Sequence, residues 1–337
     1  MTINIIRRVY NKIHSFIFRT PVAMSPGKEL NVNVKELNAI DDKYGDWLIH
    51  PCVRYIPEGF AGHKWWMVVT PYPNYDSKYE NPLLYYGDSN GTTPPLNWIF
   101  VGIVQGSYEK GYNADCNLYY DGEKLWIFWK ESDTANTKAE SGYKNMMGRC
   151  YDGKEFGPVK NFCDNPDSKS MYLAAPVVYN INGKTKCLGV YSPNMGDNTP
   201  GVEKKPRSIA VFGLNGTLEN DRFEFECIAP QTYRKGFDFW HIDIFDHNGK
   251  YYSLVTPERG TEIVLGESED GLSYNHFKKP LLHSNGIHRV PYMYKASGLV
   301  IDGTFHLFYP SKLKDGKRVH IFCASTNFDK LLKQLKK

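Results

Sequence analysis

A hairpin that recurs five times is the feature that most constrains this chain. In its clearest copy, residues 240–256, a strand opening on Trp240, His241 and Asp243 reaches a tight turn at His247-Asn248-Gly249 and returns through Tyr251, Ser253 and Val255. Residues 50–73, 113–131, 174–192 and 294–311 repeat the pattern: a short apolar strand, a Gly-containing turn and an aromatic-rich strand. Successive copies start roughly 55–65 residues apart, the kind of period that marks a propeller or solenoid rather than an ordinary sheet. Third strands follow at Tyr85-Tyr86-Gly87, Cys150-Tyr151, Ala210-Val211-Phe212 and Gly266-Glu267-Ser268, and fourth strands at 98–101 and 223–226. A lone hairpin cannot bury its own face. The expected fold class is therefore all-β, a five-bladed β-propeller whose radial closure leaves few strand edges exposed.

The repeat runs over residues 46–328 of 337, which argues for one domain. Its 29 glycines, 20 prolines and 15% aromatic residues suit pleated, half-buried faces punctuated by turns. Outside it, Ile5, Ile6, Val9, Ile13, Phe16 and Ile17 recur at helical spacing with Arg7, Arg8, Lys12 and Arg19 opposite. Residues 1–20 thus read as a short basic amphipathic helix, too short in apolar length to span a bilayer. Its two readings are peripheral contact with the inner membrane face and docking on the propeller or a partner. Residues 21–45 read as an irregular lead-in, and 329–337 as a lysine-rich tail or short final helix. A net charge of +4, from 41 basic and 37 acidic residues, is too mild to imply nucleic acid. Seven cysteines at irregular spacing give neither a zinc pattern nor a disulfide framework, which suits a reducing, cytoplasmic setting.

In a propeller, the innermost strand of each blade starts at one face beside the central channel, and the loops between second and third strands return to that face. Polar residues fall at both kinds of position. The inner strands contribute His50, Asp115, His241, Asp243, Lys295 and Ser297, while the third copy offers only Ala174-Ala175-Pro176. The loops contribute Tyr72, Glu80 and Asn81, then Lys130 and Glu131, then Asn194 and Asp197, then Glu258 and Arg259. With Trp240 beside His241, the result is a funnel of carboxylates, imidazoles, cations and rings. That mixture suits a carbohydrate, whose hydroxyls need hydrogen-bond partners and whose apolar face stacks on aromatic rings.

The hairpins resemble the blades of the five-bladed propeller glycosidases, the clan that includes glycoside hydrolase families 43 and 32. They are more similar still to a group of bacterial and phage proteins with a His-Pro opening blade, Glu-Asn-Pro after the first hairpin and a Trp-His-x-Asp motif. Here these are His50-Pro51, Glu80-Asn81-Pro82 and Trp240-His241-Ile242-Asp243. The resemblance implies the propeller fold and action on a bacterial polysaccharide or glycoconjugate. The clan uses an acidic base in an Asp-Pro motif, an orienting Asp and a Glu acid in a Glu-Gly-Pro-like motif. Asn113-Ala114-Asp115 matches the orienting Asp; His50-Pro51 stands where the base would be, and no Glu-Gly-Pro opens an inner strand.

Glycoside cleavage needs one group to protonate the leaving oxygen and another to activate water or attack. Asp115 and Asp243 are the first candidates, His50 and His241 can act as general acid or base, and Glu131 is a further carboxylate. Tyr72, Glu80, Trp240, Lys130, Glu258, Arg259 and Lys295 are candidate substrate contacts. Each has a structural alternative: Trp-His-x-Asp as a hydrogen-bonding element between blades, Asp115 as a turn or inter-blade acceptor, Lys130 and Glu131 as a solvated pair. A non-catalytic glycan-binding propeller, or glycosyl transfer or phosphorolysis with Lys130, Arg259 and Lys295 as an anion site, are the competing functions. No cofactor is expected; a calcium held by Asp115 and Asp243 finds no support in spacing.

Overall fold

The computed structural model describes residues 20–33, 47–106, 111–133, 143–166, 170–193, 206–234, 237–257, 259–286, 290–313, 316 and 318–337. The expected helix over 1–20 and the loop residues Asn194, Asp197 and Glu258 lie outside the described residues, apart from Thr20. Two short strands, β1 (Lys28–Glu29) and β2 (Asn31–Val32), precede five sheets. Blade I is β3 (Leu48–Phe60), β4 (His63–Pro71), β5 (Leu83–Gly87) and β6 (Asn97–Ile103). Blade II is β7 (Gly111–Tyr120), β8 (Leu125–Asp133), β9 (Tyr143–Tyr151) and β10 (Lys160–Asp164). Blade III is β11 (Met171–Ile181), β12 (Lys184–Ser192), β13 (Ser208–Leu214) and β14 (Phe223–Ala229). Blade IV is β15 (Phe239–His247), β16 (Lys250–Pro257) and β17 (Glu262–Ser268), edged by β18 (Asn275–His276) and β19 (Leu282–His283). Blade V is β20 (Ser297–Ile301), β21 (Thr304–Lys312) and β22 (Val319–Asn327), followed by helix α1 (Phe328–Leu335).

Between blades the alternating side chains make the apolar core. Trp65, Val69, Tyr85 and Trp98 of blade I meet Phe308 and Ile321 of blade V; Trp66 and Val68 meet Leu118, Ile127 and Trp129 of blade II. The aromatic runs read in the sequence therefore act mainly as packing between sheets, as the two-residue period of a strand requires.

The lead-in closes the ring. Met24 donates its amide to the Leu281 carbonyl of blade IV at 3.0 Å, β1 pairs antiparallel with β22 as the fourth strand of blade V, and β2 pairs parallel with β6 of blade I. The part of 21–45 that was expected to be irregular thus supplies two strands, each too short to show a period. Helix α1 is capped by Asn327, whose side chain accepts from the Lys330 amide, and buries Phe328, Leu331 and Leu335 against Phe245, Tyr252 and Phe305. No helix among the described residues is long and apolar enough to cross a membrane.

Toward the axis the inner strands stack two layers of side chains. The deeper layer is Cys52, Asn117, Val177, Asp243 and Ser297, and four of its members accept from a backbone amide of the next blade. Cys52 Sγ takes Leu118 N at 3.3 Å, Asn117 Oδ1 takes Val178 N at 3.0 Å, Asp243 Oδ2 takes Gly298 N at 3.1 Å and Ser297 Oγ takes Val53 N at 3.0 Å. The layer two residues earlier is His50, Asp115, Ala175, His241 and Lys295.

Ring closure depends on Gly27, whose amide donates to the Tyr309 hydroxyl at 2.9 Å and whose missing Cβ makes room for the Cys323 carbonyl. Gly27→Val should lower unfolding stability by about 1–3 kcal/mol, read by chemical denaturation; an unchanged midpoint would show that the lead-in is dispensable.

Candidate functional site

In blades I, II and III the inner strand breaks register at the same place: between Ile49 and Cys52, between Ala114 and Asn117, and between Ala174 and Val177. His50, Asp115 and Ala175 sit at these bulges with left-handed backbones, φ 53, 56 and 46°. Such conformations cost a non-glycine residue about 1–3 kcal/mol and concentrate at functional sites, where a bulge re-aims a side chain. Blade IV shifts register between Phe239 and His241. The bulges turn His50, Asp115 and His241 toward one another.

His50 Nε2 and His241 Nε2 each lie 3.2 Å from Asp115 Oδ1, yet neither nitrogen makes a directed hydrogen bond. The opposite ring nitrogens are occupied: His50 Nδ1 shares a hydrogen bond with Thr70 Oγ1 at 2.8 Å, and His241 Nδ1 one with Thr256 Oγ1 at 3.4 Å. In the tautomer whose Nδ1–H donates to threonine, each Nε2 keeps a lone pair for a cation shared with the carboxylate. The three side chains are 1–2% exposed, and their ligating atoms all lie within 4.8 Å of one another. Lys130 Nζ donates to the other oxygen, Asp115 Oδ2, at 2.5 Å. Lys295, fully buried, donates to the Cys116 carbonyl at 2.7 Å.

Burial alone would raise the Asp115 carboxyl, but the Lys130 ammonium bonded to it more than offsets that, and the carboxyl is held well below the ordinary range. Burial lowers both imidazoles, so they are neutral and able to act as ligands. Glu80 Oε2 lies 3.8 Å from His50 Nδ1, and burial followed by the charge of Asp115 raises its carboxyl well above the usual value. Its loop is pinned: the Glu80 carbonyl accepts from the Asn113 amide at 2.8 Å, and Asn113 Nδ2 donates to Asn81 Oδ1 at 3.0 Å.

Two imidazole nitrogens and one carboxylate oxygen, buried and convergent, with the outer ring nitrogens held by hydroxyls, fit a borderline divalent cation such as zinc or manganese. The buried nitrogens without directed partners are the observation on which that fit rests. A hard calcium ion, which takes six to eight oxygens, fits this donor set poorly.

The other candidates fall elsewhere. Asp243 belongs to the deeper layer, where it accepts from Gly298 and pairs with Arg54 at 3.1 Å. Expected beside Asp115, it is instead displaced along the axis by two residues of strand, about 6.6 Å. Glu131 adjoins Lys130 on β8, so strand alternation turns it to the other face from Asp115. Trp240 packs in the core under the Arg207 guanidinium, 4.4 Å above its ring, with Lys130 at 6.0 Å. Arg259 is exposed, and Tyr72 stands in a group of tyrosines at the rim. The sequence reading missed Thr70, Thr256 and Tyr294, the last packed 4.3 Å from the His241 ring and 5.1 Å from that of His50. Tyr292-Met293-Tyr294 directly before Lys295 was the signal available for it.

No protein-family model matches the sequence, and no curated protein matches it either. Solved structures do match. An N-acetylgalactosamine deacetylase from F. plautii, in complex with blood group B trisaccharide, superimposes with a TM-score of 0.69 at 15% identity, covering 93% of this chain and 97% of its own. A β-xylosidase gives 0.58 at 12% identity over 84% and 92%, and a family-43 glycoside hydrolase from Xanthomonas citri complexed with xylose gives 0.57 at 12% over 84% and 88%. The fold, a five-bladed β-propeller, is the one these solved structures share. At these identities the likeness is one of fold, and chemistry must be argued from the side chains.

The deeper layer makes Asp243 a structural ion. Arg54→Met should cost about 3–5 kcal/mol by stranding a buried carboxylate, and Asp243→Asn in the same chain should recover a large part of it. Urea unfolding of the two single variants and the double variant measures this; strictly additive losses would disprove the pairing.

Proposed function

We propose that the protein is a carbohydrate-active hydrolase in which His50, Asp115 and His241 hold a divalent cation, Glu80 moves the proton, and the bond opened is an acyl amide or ester on a sugar. The observation that carries this reading is the convergence of two buried Nε2 atoms and Asp115 Oδ1 on one point beside a buried carboxyl group. The fold likeness to a deacetylase over nearly the full length of both chains supports it.

A bound cation would supply Lewis-acid polarisation of a carbonyl and a lowered pKa for water. The chain's own residues account for the rest. Thr70 and Thr256 fix the imidazole tautomer and orientation, and Lys130 keeps Asp115 ionised and oriented. Glu80, whose carboxyl burial holds above the ordinary carboxylate range, takes a proton from water and returns it to the departing amine or alcohol. Tyr294, packed on both imidazoles, keeps bulk water off the cluster.

A second reading keeps glycosidic cleavage, with Glu80 as the protonated acid that its raised pKa suits. It needs another carboxylate free to activate water or attack. Asp115 is engaged by Lys130, and Asp243 by Arg54 and Gly298. Release of reducing ends instead of acetate from acetylated oligosaccharides would identify this reading, and binding without either product would identify a glycan-binding propeller.

Titration calorimetry with zinc or manganese should find one ion per chain. His50→Ala, His241→Ala and Asp115→Asn should each lose more than the roughly 10–100-fold in affinity that removal of an outer partner costs; variants that bind like wild type would refute the site.

Glu80→Gln should keep ion affinity within a few-fold and lower acetate release by about 10²–10⁴-fold. Undiminished turnover would remove Glu80 from the proton transfer.

A further inference from the structure

Beyond the one tyrosine packed on the two histidines, the proposed chemistry leaves unused a wall of aromatic rings that runs from it to the surface. Tyr294 packs on both imidazoles, and Tyr292 lies parallel to it, ring centroids 5.8 Å apart and planes 7° from coincidence. Tyr72 is nearly parallel to Tyr294 at 6.5 Å. Trp47, buried 5.9 Å from Tyr292, backs the wall, and Tyr75, 6.1 Å from Tyr292, carries it outward. Lys312 Nζ lies 5.4–5.7 Å from the rings of Trp47, Tyr75 and Tyr292 and donates to the Tyr75 hydroxyl at 3.0 Å.

Three observations separate this wall from ordinary core. Tyr292 and Tyr75 both adopt left-handed backbones, φ 65 and 62°, which bulky residues rarely do and which packing against neighbours does not require. The buried Tyr292 hydroxyl finds no hydrogen-bond partner among the described residues, whereas a buried tyrosine ordinarily has one. Tyr75 is 52% exposed, and Tyr72, Tyr292 and Tyr294, though packed on Trp47 and Ile49, are not fully buried, so the wall keeps some accessible ring surface beside a buried reaction centre.

We infer that the wall is a subsite for the sugar next to the one held at His50, Asp115 and His241, with Tyr292 as a specificity-determining residue. The substrate is then an oligosaccharide or polymer rather than a free monosaccharide. A second sugar ring presents its apolar face to the tyrosines, and one of its hydroxyl or acetamido groups meets the unsatisfied Tyr292 hydroxyl; Lys312 limits the outer end with donors. This inference rests on the carbohydrate reading above, but not on which bond is cleaved.

Calorimetry on the full chain tests it without requiring turnover. The probes are N-acetylglucosamine and chitotriose, and N-acetylgalactosamine and the blood group A trisaccharide. At least one trisaccharide should bind about tenfold or more tighter than its own monosaccharide, a difference expected for a second occupied subsite. Tyr292→Phe, which keeps the ring, and Tyr75→Ala, at the exposed end, should each bring that ratio close to one, with thermal melting used to confirm a folded chain. Trisaccharides that bind no better than their monosaccharides, or variants that retain the wild-type ratio, would overturn the subsite. A retained ratio in wild type without acetate release would sink the proposed chemistry and leave the subsite standing.

Discussion

Backbone amides on the innermost strands face a buried axis with no further strand to pair with, and the ring exists only if they are satisfied. Cys52, Asn117, Asp243 and Ser297 meet that demand at four of the five blade junctions, each reaching forward to the next blade. Blade III contributes Val177 to the same layer, an apolar position packed with Ile242 and Ile244 of blade IV. An acceptor as strong as a carboxylate is needed only once, where Asp243 also neutralises Arg54. The layer fixes the spacing of blades about the axis, and so the distance across which the residues above it can meet.

In blades I to IV those residues inherit their positions from the register break near the start of the inner strand. A regular strand would send His50 and Asp115 to a sheet face that packs against a neighbouring blade; the left-handed residue at the bulge turns them to the axis instead. The cost of the conformation is small beside the cost of an uncompensated buried charge. Lys130 supplies the compensation for Asp115 from the second strand of the same blade, and the two imidazoles approach the remaining oxygen from blades I and IV. Ala175, at the equivalent bulge of blade III, has no polar side-chain atom to add.

The repeat made the architecture legible. Each hairpin carried its own turn and its own alternation, and the third and fourth strands read at 85–87, 98–101 and 223–226 lie within β5 (which begins two residues earlier), β6 and β14. What a single blade can specify was therefore readable, including the positions that open the inner strands. What depends on two blades was not. The sequence ranks Asp115 and Asp243 alike, since both are carboxylates at a strand start; only the bulge between Phe239 and His241, which assigns His241 to the upper layer and Asp243 to the lower, tells them apart. Thr70 and Thr256 were hidden for the same reason. They end second strands among other β-formers, and their role appears only when Ile49 and His241 are found across from them in register.

The same two-layer logic explains why a histidine-rich centre can occupy a frame whose likeness extends to sugar-cleaving enzymes. The lower layer and the apolar faces between blades tolerate no charge without a partner, and they hold the geometry of the layer above. There, His50 places a neutral donor, and not a second buried carboxylate, next to Asp115. Two carboxylates at that distance would push one another toward protonation, as Asp115 already does to Glu80. Two neutral imidazoles leave Asp115 ionised and put three lone pairs on one point. A centre built this way is suited to hold a cation and poorly suited to the paired-acid chemistry of glycoside cleavage, although the backbone around it is the same.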